Sequence, residues 1–371
     1  MARPGLWLAV ALCISVPWLG ACEDRNPRDQ FYDELDRLLG MRPAKREARR
    51  PVVSAGWPRT LEGLGEVSGV SVDPHGDPVI LHRGPRHWDA GAFNSTTHYQ
   101  RRAEGPIAVD TVLTLDAHTG QLKRSWGGGL FYLPHGLTVD PRGHVWVTDV
   151  ALHQALKFAP GSPEPLIEVG TRFEPGVGHY HLCQPTAVAV APEPSAEVFI
   201  ADGYCNSRIV VINSKGRYLN QLPRFDVFAS TGNEFLSLQV PHGLALLPHR
   251  DLLCIADRDN MRVVCPRAGL VGRTPPTPPS TIQAPDMGRV FAVTETGGLL
   301  YAVNGPTSPR IPVRGFTLDT DNESVVDRWG AEEGLETPHA LAACPNGSAL
   351  YLSELSPPRV WKFELRPLPH F

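Results

Sequence analysis

The stretch "LPHGLTVDPRGHVWVTD", residues 133–149, decides the fold. A Pro-His-Gly triplet leads into an alternating apolar segment. An Asp-Pro-Arg-Gly turn follows, and a second alternating segment ends on a polar Thr-Asp step. Strict alternation bounded by Gly and Asp-Pro reads as two short β-strands joined by a tight turn. The unit returns as "VPHGLALLPHRDLLCIAD" (240–257) and as "TPHALAACPNGSALYLSE" (337–354). Copies without the histidine begin near Gly69 ("GVSVDPHGDPVILH") and Ala187 ("AVAVAPEPSAEVFIAD"). A degenerate copy occupies 288–305 ("GRVFAVTETGGLLYAVNG"). Six units at a period of about 50 residues, each with room for four short strands, predict an all-β, six-bladed β-propeller. Radial closure hides most sheet edges, so a single domain can reach this size. The Pro-rich "TPPTPPSTIQAP" (274–285) is unsuited to a central strand and is read as a loop between units.

The first strand of a blade lines the central channel, so the residue ahead of it stands at one mouth. His135, His242 and His339 hold that place in blades two, four and six. Alternate blades of six lie about 120° apart, so the three imidazoles converge on the axis. Three neutral imidazoles with a fourth position open form a catalytic rather than a closed zinc site. Such ligands also accept iron or cobalt. A second histidine pair, in "HYH" (179–181), faces one way if that segment is a strand. It has no third partner of matching placement and is read as surface.

The remaining sequence sets the compartment. The chain has 371 residues and a formal net charge of -4, so no basic footprint argues for nucleic acid. "MARPGLWLAVALCISVPWLGAC", residues 1–22, reads as a secretory signal peptide, with a lipoprotein signal at "LGAC" (19–22) as the alternative. Residues 23–60 read as a flexible leader. Arg46 to Arg49 have proprotein-convertase spacing there, and a merely solvated tail is the competing reading. The propeller is expected over 61–366, with 367–371 a tail. Cys183 with Cys205, and Cys254 with Cys265, have spacings that suit two local disulfides of an oxidising compartment. Cys344 is left over, with Cys22 its candidate partner. Asn94, Asn322 and Asn346 lie in glycosylation sequons. A soluble, secreted monomer is expected.

Several longer strings carry a family resemblance. They are "HRGPRHWD" (82–89), "LFYLPHGL" (130–137), "WVTDVALHQALKF" (146–158), "CQPTAVAV" (183–190), "ADGYCNSRI" (201–209), "VPHGLAL" (240–246) and "ADRDNMRVVC" (256–265). In these, from about residue 64 to 365, the chain resembles peptidyl-α-hydroxyglycine α-amidating lyases, six-bladed NHL-type propellers. The resemblance implies zinc on His135, His242 and His339. It implies cleavage of peptides ending in α-hydroxyglycine to peptide amide and glyoxylate, after a separate hydroxylase has acted. It implies Tyr204 as the catalytic tyrosine, with Arg83 and Arg258 as active-site arginines, and it agrees with the two disulfides. A structural calcium is implied on backbone oxygens of Val70 and Leu137, with an aspartate after the third histidine. Here that position is Ala340, which puts the calcium in doubt. Thr337 replaces a methionine, and "SEL" (353–355) replaces "GDA", leaving Glu354 as the nearest substitute charge. Two other readings remain open at this point. One is a secreted propeller that has lost catalysis and binds a peptide or protein, since propellers host both uses. The other, lactone or ester hydrolysis at calcium, wants a channel rich in carboxylates and is disfavoured.

Overall fold

The structure is a computed structural model that describes residues 49–58, 62–223, 236–270 and 278–368. Six four-stranded antiparallel sheets form the blades of a propeller. Blade one is β2 (Val67–Val72), β3 (Pro78–His82), β4 (Val112–Leu115) and β5 (Leu122–Trp126). Blade two is β6 (Pro134–Val139), β7 (Val145–Asp149), β8 (Gln154–Phe158) and β9 (Pro165–Val169). Blade three is β10 (Ala187–Val190), β11 (Val198–Asp202), β12 (Arg208–Ile212) and β13 (Tyr218–Leu222). Blade four is β14 (Pro241–Leu247), β15 (Leu252–Asp257), β16 (Arg262–Cys265) and β17 (Ser280–Ile282). Blade five is β18 (Val290–Thr296), β19 (Leu299–Asn304), β20 (Gly315–Asp319) and β21 (Ser324–Trp329). Blade six joins β22 (Pro338–Ala343), β23 (Ala349–Glu354) and β24 (Arg359–Pro367) to β1 (Arg49–Val53).

Burial follows from this stacking. Each second strand has neighbouring blades on both faces and reads as an apolar run, such as "VWVTD" in β7 and "VFIAD" in β11, buried throughout. The outermost β5 has no outer neighbour and is mostly exposed "LKRSW". The core is divided into six apolar clusters, each filling the gap between two adjacent blades. One joins Leu81 and Val112 of blade one to Val147 and Leu156 of blade two. Another joins Val70 and Ile80 of blade one to Tyr351 and Val360 of blade six, closing the ring. Burial of this kind is worth roughly 1.5–3 kcal/mol per large aliphatic side chain.

Three expectations are corrected. The leader does not extend to residue 60, because β1 pairs with β24 from Arg49 opposite Pro367 to Val53 opposite Phe363. The short alternation of "RRPVV" beside two arginines hides this strand from a pattern search, although Pro51 is buried. The bond after Arg49, where convertase spacing pointed, therefore lies inside a paired strand. The Arg49 carbonyl accepts the Tyr301 hydroxyl (3.1 Å), and its Nη1 donates to the Gly347 carbonyl (3.1 Å). The second half of the Pro-rich segment is not a loop, since Ser280–Ile282 is the outer strand of blade four, the edge position where neighbouring prolines are tolerated. The "HYH" segment is a bend rather than a strand, with His179 stacked on Tyr218 at 3.9 Å between ring centroids.

Residues 1–22, the leader up to residue 48 and Cys22 lie outside the described residues. Cys344 is buried without a disulfide partner among the described residues. No helix of the described residues is long and apolar enough to cross a membrane. Asn94, Asn322 and Asn346 are all exposed.

Candidate metal centre

The placing of the histidines begins with a bulge. In β6, β14 and β22 the pairing with the second strand slips by one residue at the histidine, between Pro134 and Gly136, Pro241 and Gly243, and Pro338 and Ala340. The extra residue of a bulge leaves the ladder and its side chain is re-aimed. Here it is aimed at the channel mouth. The small residue that follows has a steric reason. A Cβ on Gly136 would stand 2.1 Å from the Thr186 carbonyl of the next blade.

His135, His242 and His339 are all buried, and their ring centroids stand 4.6–4.8 Å apart. Each ring is held by the blade that follows. His135 Nδ1 lies 2.9 Å from the Thr186 carbonyl, His242 Nδ1 2.7 Å from that of Phe291, and His339 Nδ1 2.6 Å from that of Ser68. Carbonyls only accept, so all three Nδ1 atoms carry the proton and all three Nε2 atoms are bare lone pairs. Ser68, Thr186 and Phe291 occupy in blades one, three and five the place the histidines hold in the others. The mouth is thus three donors alternating with three acceptors. This orientation of a ligating imidazole by its other nitrogen is the usual support of a metal site. The ligand atoms all lie within 4.8 Å of one another, and the set could hold a metal ion. Burial, followed by mutual repulsion, drives the pKa of His135 and His242 well below the ordinary histidine value. Burial and then Arg83 push His339 down to about 3. Neutral imidazoles are what a metal requires of its ligands.

The chain after each second strand supplies the rest of the site. In blades two, three, four and six the last residue of that strand accepts backbone amides of the loop entering the same blade. Asp149 accepts Tyr132 and Leu133 N–H, Asp202 accepts Cys183, Asp257 accepts Gln239, and Glu354 accepts Glu336 and Thr337. In blade one His82 takes this role, with Nδ1 accepting from Gly65 and Gly84. The residue just beyond then hydrogen-bonds back to that loop, as Arg83 N–H does to Glu66 O and Arg258 N–H to Val240 O. Arg83 and Arg258 are therefore equivalent positions of blades one and four, and Tyr204 stands one residue further on in blade three. This equivalence was present in the repeat and is the signal that singles them out without any resemblance.

The structure brings these three to the histidines. The Tyr204 hydroxyl lies 3.1 Å from Nε2 of both His135 and His242. The Arg258 guanidinium sits 5.2 Å over both the Tyr204 and the Phe291 ring, with Nη1 3.5 Å from the phenol oxygen. Arg83 is 2% exposed; Nη1 pairs with Glu66 at 2.6 Å and Nε donates to the Pro134 carbonyl, while Nη2 is buried without a partner among the described residues. Burial pushes the Tyr204 phenol up, and Arg258 and Arg83 pull it back. The arginines alone therefore do not overcome burial. Trp88 and Phe291 were missed as site residues. Trp88 packs 4.7 Å from Tyr204 and 6.1 Å from His135, and Phe291 5.0 Å from His242. Trp88, alone in the loop after β3, carries no spacing signal, whereas Phe291 in β18 stands where the repeat places the histidines and could have been found by that phasing.

Both expected disulfides form. Cys183–Cys205 encloses β10 and β11, two strands rather than one, and ends next to Tyr204. Cys254–Cys265 bridges β15 and β16 one residue beyond the Ile255–Val264 pair.

The calcium set fits less well. Val70 and Leu137 do line the channel below the histidines, but Ala340 offers only a methyl group. The sole acidic side chain on that lining is Glu295, whose Oε1 accepts the Gly298 amide. Glu354 is no substitute, for its oxygens bind the Glu336 and Thr337 amides and the Trp361 indole (2.6 Å). Of the expected set, the channel lining thus keeps Val70 and Leu137 but lacks the carboxylate at position 340.

Comparison with known proteins shows the family. The NHL repeat family matches residues 131–154, the loop and strands that carry His135. A chain of the crystal structure of a nidogen/laminin complex has the same fold, with a TM-score of 0.51 at 15% identity over 74% of this chain and 84% of that one. The peptidylglycine alpha-amidating monooxygenase of Rattus norvegicus is 40% identical over 83% of this chain, which spans 31% of its length. The peptidyl-alpha-hydroxyglycine alpha-amidating lyase 2 of Drosophila melanogaster is 50% identical over 320 residues, 85% of this chain and 76% of the relative. Half of all positions retained along nearly the whole propeller leaves one conclusion: the chain belongs to the peptidyl-α-hydroxyglycine α-amidating lyase family.

Proposed function

We propose that this protein is a secreted, zinc-dependent lyase that splits peptides ending in α-hydroxyglycine into the peptide amide and glyoxylate. The observation that carries the reading is the convergence of three bare Nε2 atoms beside one phenol and two guanidinium groups. Zinc suits three nitrogen ligands with an open position, and when bound it supplies positive charge that acidifies a neighbouring hydroxyl. The chain's own residues account for the remainder. Nη2 of Arg83 has no acceptor among the described residues and would offer the substrate carboxylate a charge-assisted hydrogen bond. Glu66 and the Pro134 carbonyl hold that guanidinium in place. Tyr204, as the phenolate, removes the proton of the substrate hydroxyl. The C–N bond breaks as the C=O of glyoxylate forms, and the departing amide nitrogen takes the proton back from Tyr204. Atoms balance with no water consumed. Arg258, over the phenol ring, opposes the burial that keeps Tyr204 protonated, and the positive charge of bound zinc would complete the shift to the phenolate in which the cycle starts. The two disulfides and the signal-like start support an oxidising, secretory location.

The test is glyoxylate release from a synthetic peptidyl-α-hydroxyglycine, with and without a chelator, followed by return of zinc. Release well above the spontaneous rate that is lost to the chelator and restored by zinc supports the reading. No release from folded, zinc-loaded protein refutes it and favours a propeller that only binds peptides.

A further inference from the structure

We infer that His153, which no part of the reaction above uses, is a positioning residue for Tyr204; this rests on the lyase reading of the site. His153 lies in the turn between β7 and β8, fully buried, with φ 55°. The equivalent turns of blades three and four place Ser207 (φ 51°) and Met261 (φ 54°) in the same left-handed conformation. That conformation favours Gly or Asn, and a bulky residue there is strained. Ser207 and Met261 are at least partly exposed, whereas His153 puts its imidazole wholly into the core. The turn itself does not need this arrangement.

What the ring does provide is a single acceptor. His153 Nδ1 receives the backbone N–H of Gln184 at 3.1 Å, from a different blade. Gln184 is also left-handed (φ 54°), and its carbonyl accepts the Tyr204 N–H at 3.5 Å. Gln184 Oε1 meets Cys205 Sγ at 3.3 Å, beside Tyr204 in sequence. A second route reaches the same phenol through rings: His153 on Phe93 (6.1 Å), Phe93 on Trp88 (5.4 Å), Trp88 on Tyr204 (4.7 Å). Tyr204 is thereby held through its backbone and across its ring face by one buried side chain outside the centre. Burial, aided by His98 and opposed by the Thr97 carbonyl, keeps the pKa of His153 down to about 4, so the acceptor stays available.

The test compares zinc-loaded wild type with His153→Leu and His153→Asn. Leucine removes the acceptor; asparagine returns an acceptor at the same branch of the side chain and tolerates the left-handed backbone. His153→Leu is expected to lower kcat at least tenfold with KM within twofold and zinc content unchanged. Amide exchange at Gln184 and Tyr204 should accelerate in step. His153→Asn is expected to stay within threefold of wild type in kcat and to keep both amides protected. The inference is overturned if His153→Leu keeps its kcat, if it loses activity through loss of zinc, or if asparagine fares no better than leucine. Should the leucine variant not fold, His153→Asn decides: protected amides and near-normal turnover support the inference, and loss of either overturns it. A wild type without lyase activity refutes the proposed function instead, and the exchange data still judge the His153–Gln184 link.

Discussion

Glu354 offers the most exacting test of how the site is supported. It is fully buried and binds three donors: the amides of Glu336 (2.6 Å) and Thr337 (3.0 Å) and the indole of Trp361 (2.6 Å). Truncation in Glu354→Ala strands all three. An unsatisfied buried donor costs about 1–3 kcal/mol. Glu336 is exposed, so water can recover part of the two loop terms, but the indole has no such recourse. The expected loss of unfolding free energy is therefore about 3–5 kcal/mol. Glu354→Gln keeps an oxygen for the loop and turns an NH2 group towards the indole N–H, so one contact fails and about 1–3 kcal/mol is lost. Thr337 lies two residues before His339, and loosening its loop should cut metal affinity by about 10–100-fold, as loss of an outer support does elsewhere. Urea unfolding of the metal-free proteins gives the first quantity and competition against a chelator the second. Stability within about 0.5 kcal/mol of wild type in Glu354→Ala, together with unaltered affinity, would refute this account of the carboxylate.

Other expectations follow from the same geometry. His242→Ala should fold but bind no metal at this site and release no glyoxylate; full metal stoichiometry would remove it from the ligand set. Tyr204→Phe should keep its metal and lose at least 100-fold in kcat, the range of general acid–base catalysis, and a near-normal rate would mean that another group moves the proton. Metal-free protein should lose stability as pH falls from about 6.5, because His339 and His153 are held down to about 3 and about 4 when folded but titrate normally when unfolded. The unfolded state binds more protons throughout that window, so acid favours it, and equal urea midpoints at pH 7 and pH 5 would contradict the burial of neutral imidazoles. Cleavage by a trypsin-like protease after Arg49 should be slow in the folded protein. Rapid build-up of a native fragment beginning at Arg50 would show that β1 is not firmly paired.

Much of this was legible because propeller repeats are phased. Once His135, His242 and His339 shared one frame, their convergence followed from alternation around a ring. The arginines were legible in principle by the same phasing, since Arg83 and Arg258 follow the polar residue that ends the second strand. The three groups that orient the histidines could not be read, because Ser68, Thr186 and Phe291 act through main-chain carbonyls and any residue type would serve. Trp88 escaped because its loop has no counterpart in the other blades. The fourth strand of blade six was hidden for a topological reason. Arg49–Val53 precedes the repeats, far in sequence from the sheet it completes, so no local period points to it. Glu354 was read as a spare charge for the channel, when its place at the end of β23 commits it to the loop behind.

The shared construction of blade six also fixes when the centre can exist. As the chain is synthesised, the segments bearing His135 and His242 emerge well before the one bearing His339. The sheet that carries His339 lacks its outer strand until the earliest described segment returns to meet the last. The third ligand is thus delivered by the same event that shuts the circle. An ion held by the histidines of blades two, four and six would tie the last blade to earlier ones, and any ligand that binds only the closed form favours closure by mass action. Metal capture would then go with circularisation, since the third imidazole arrives on the last sheet to be made.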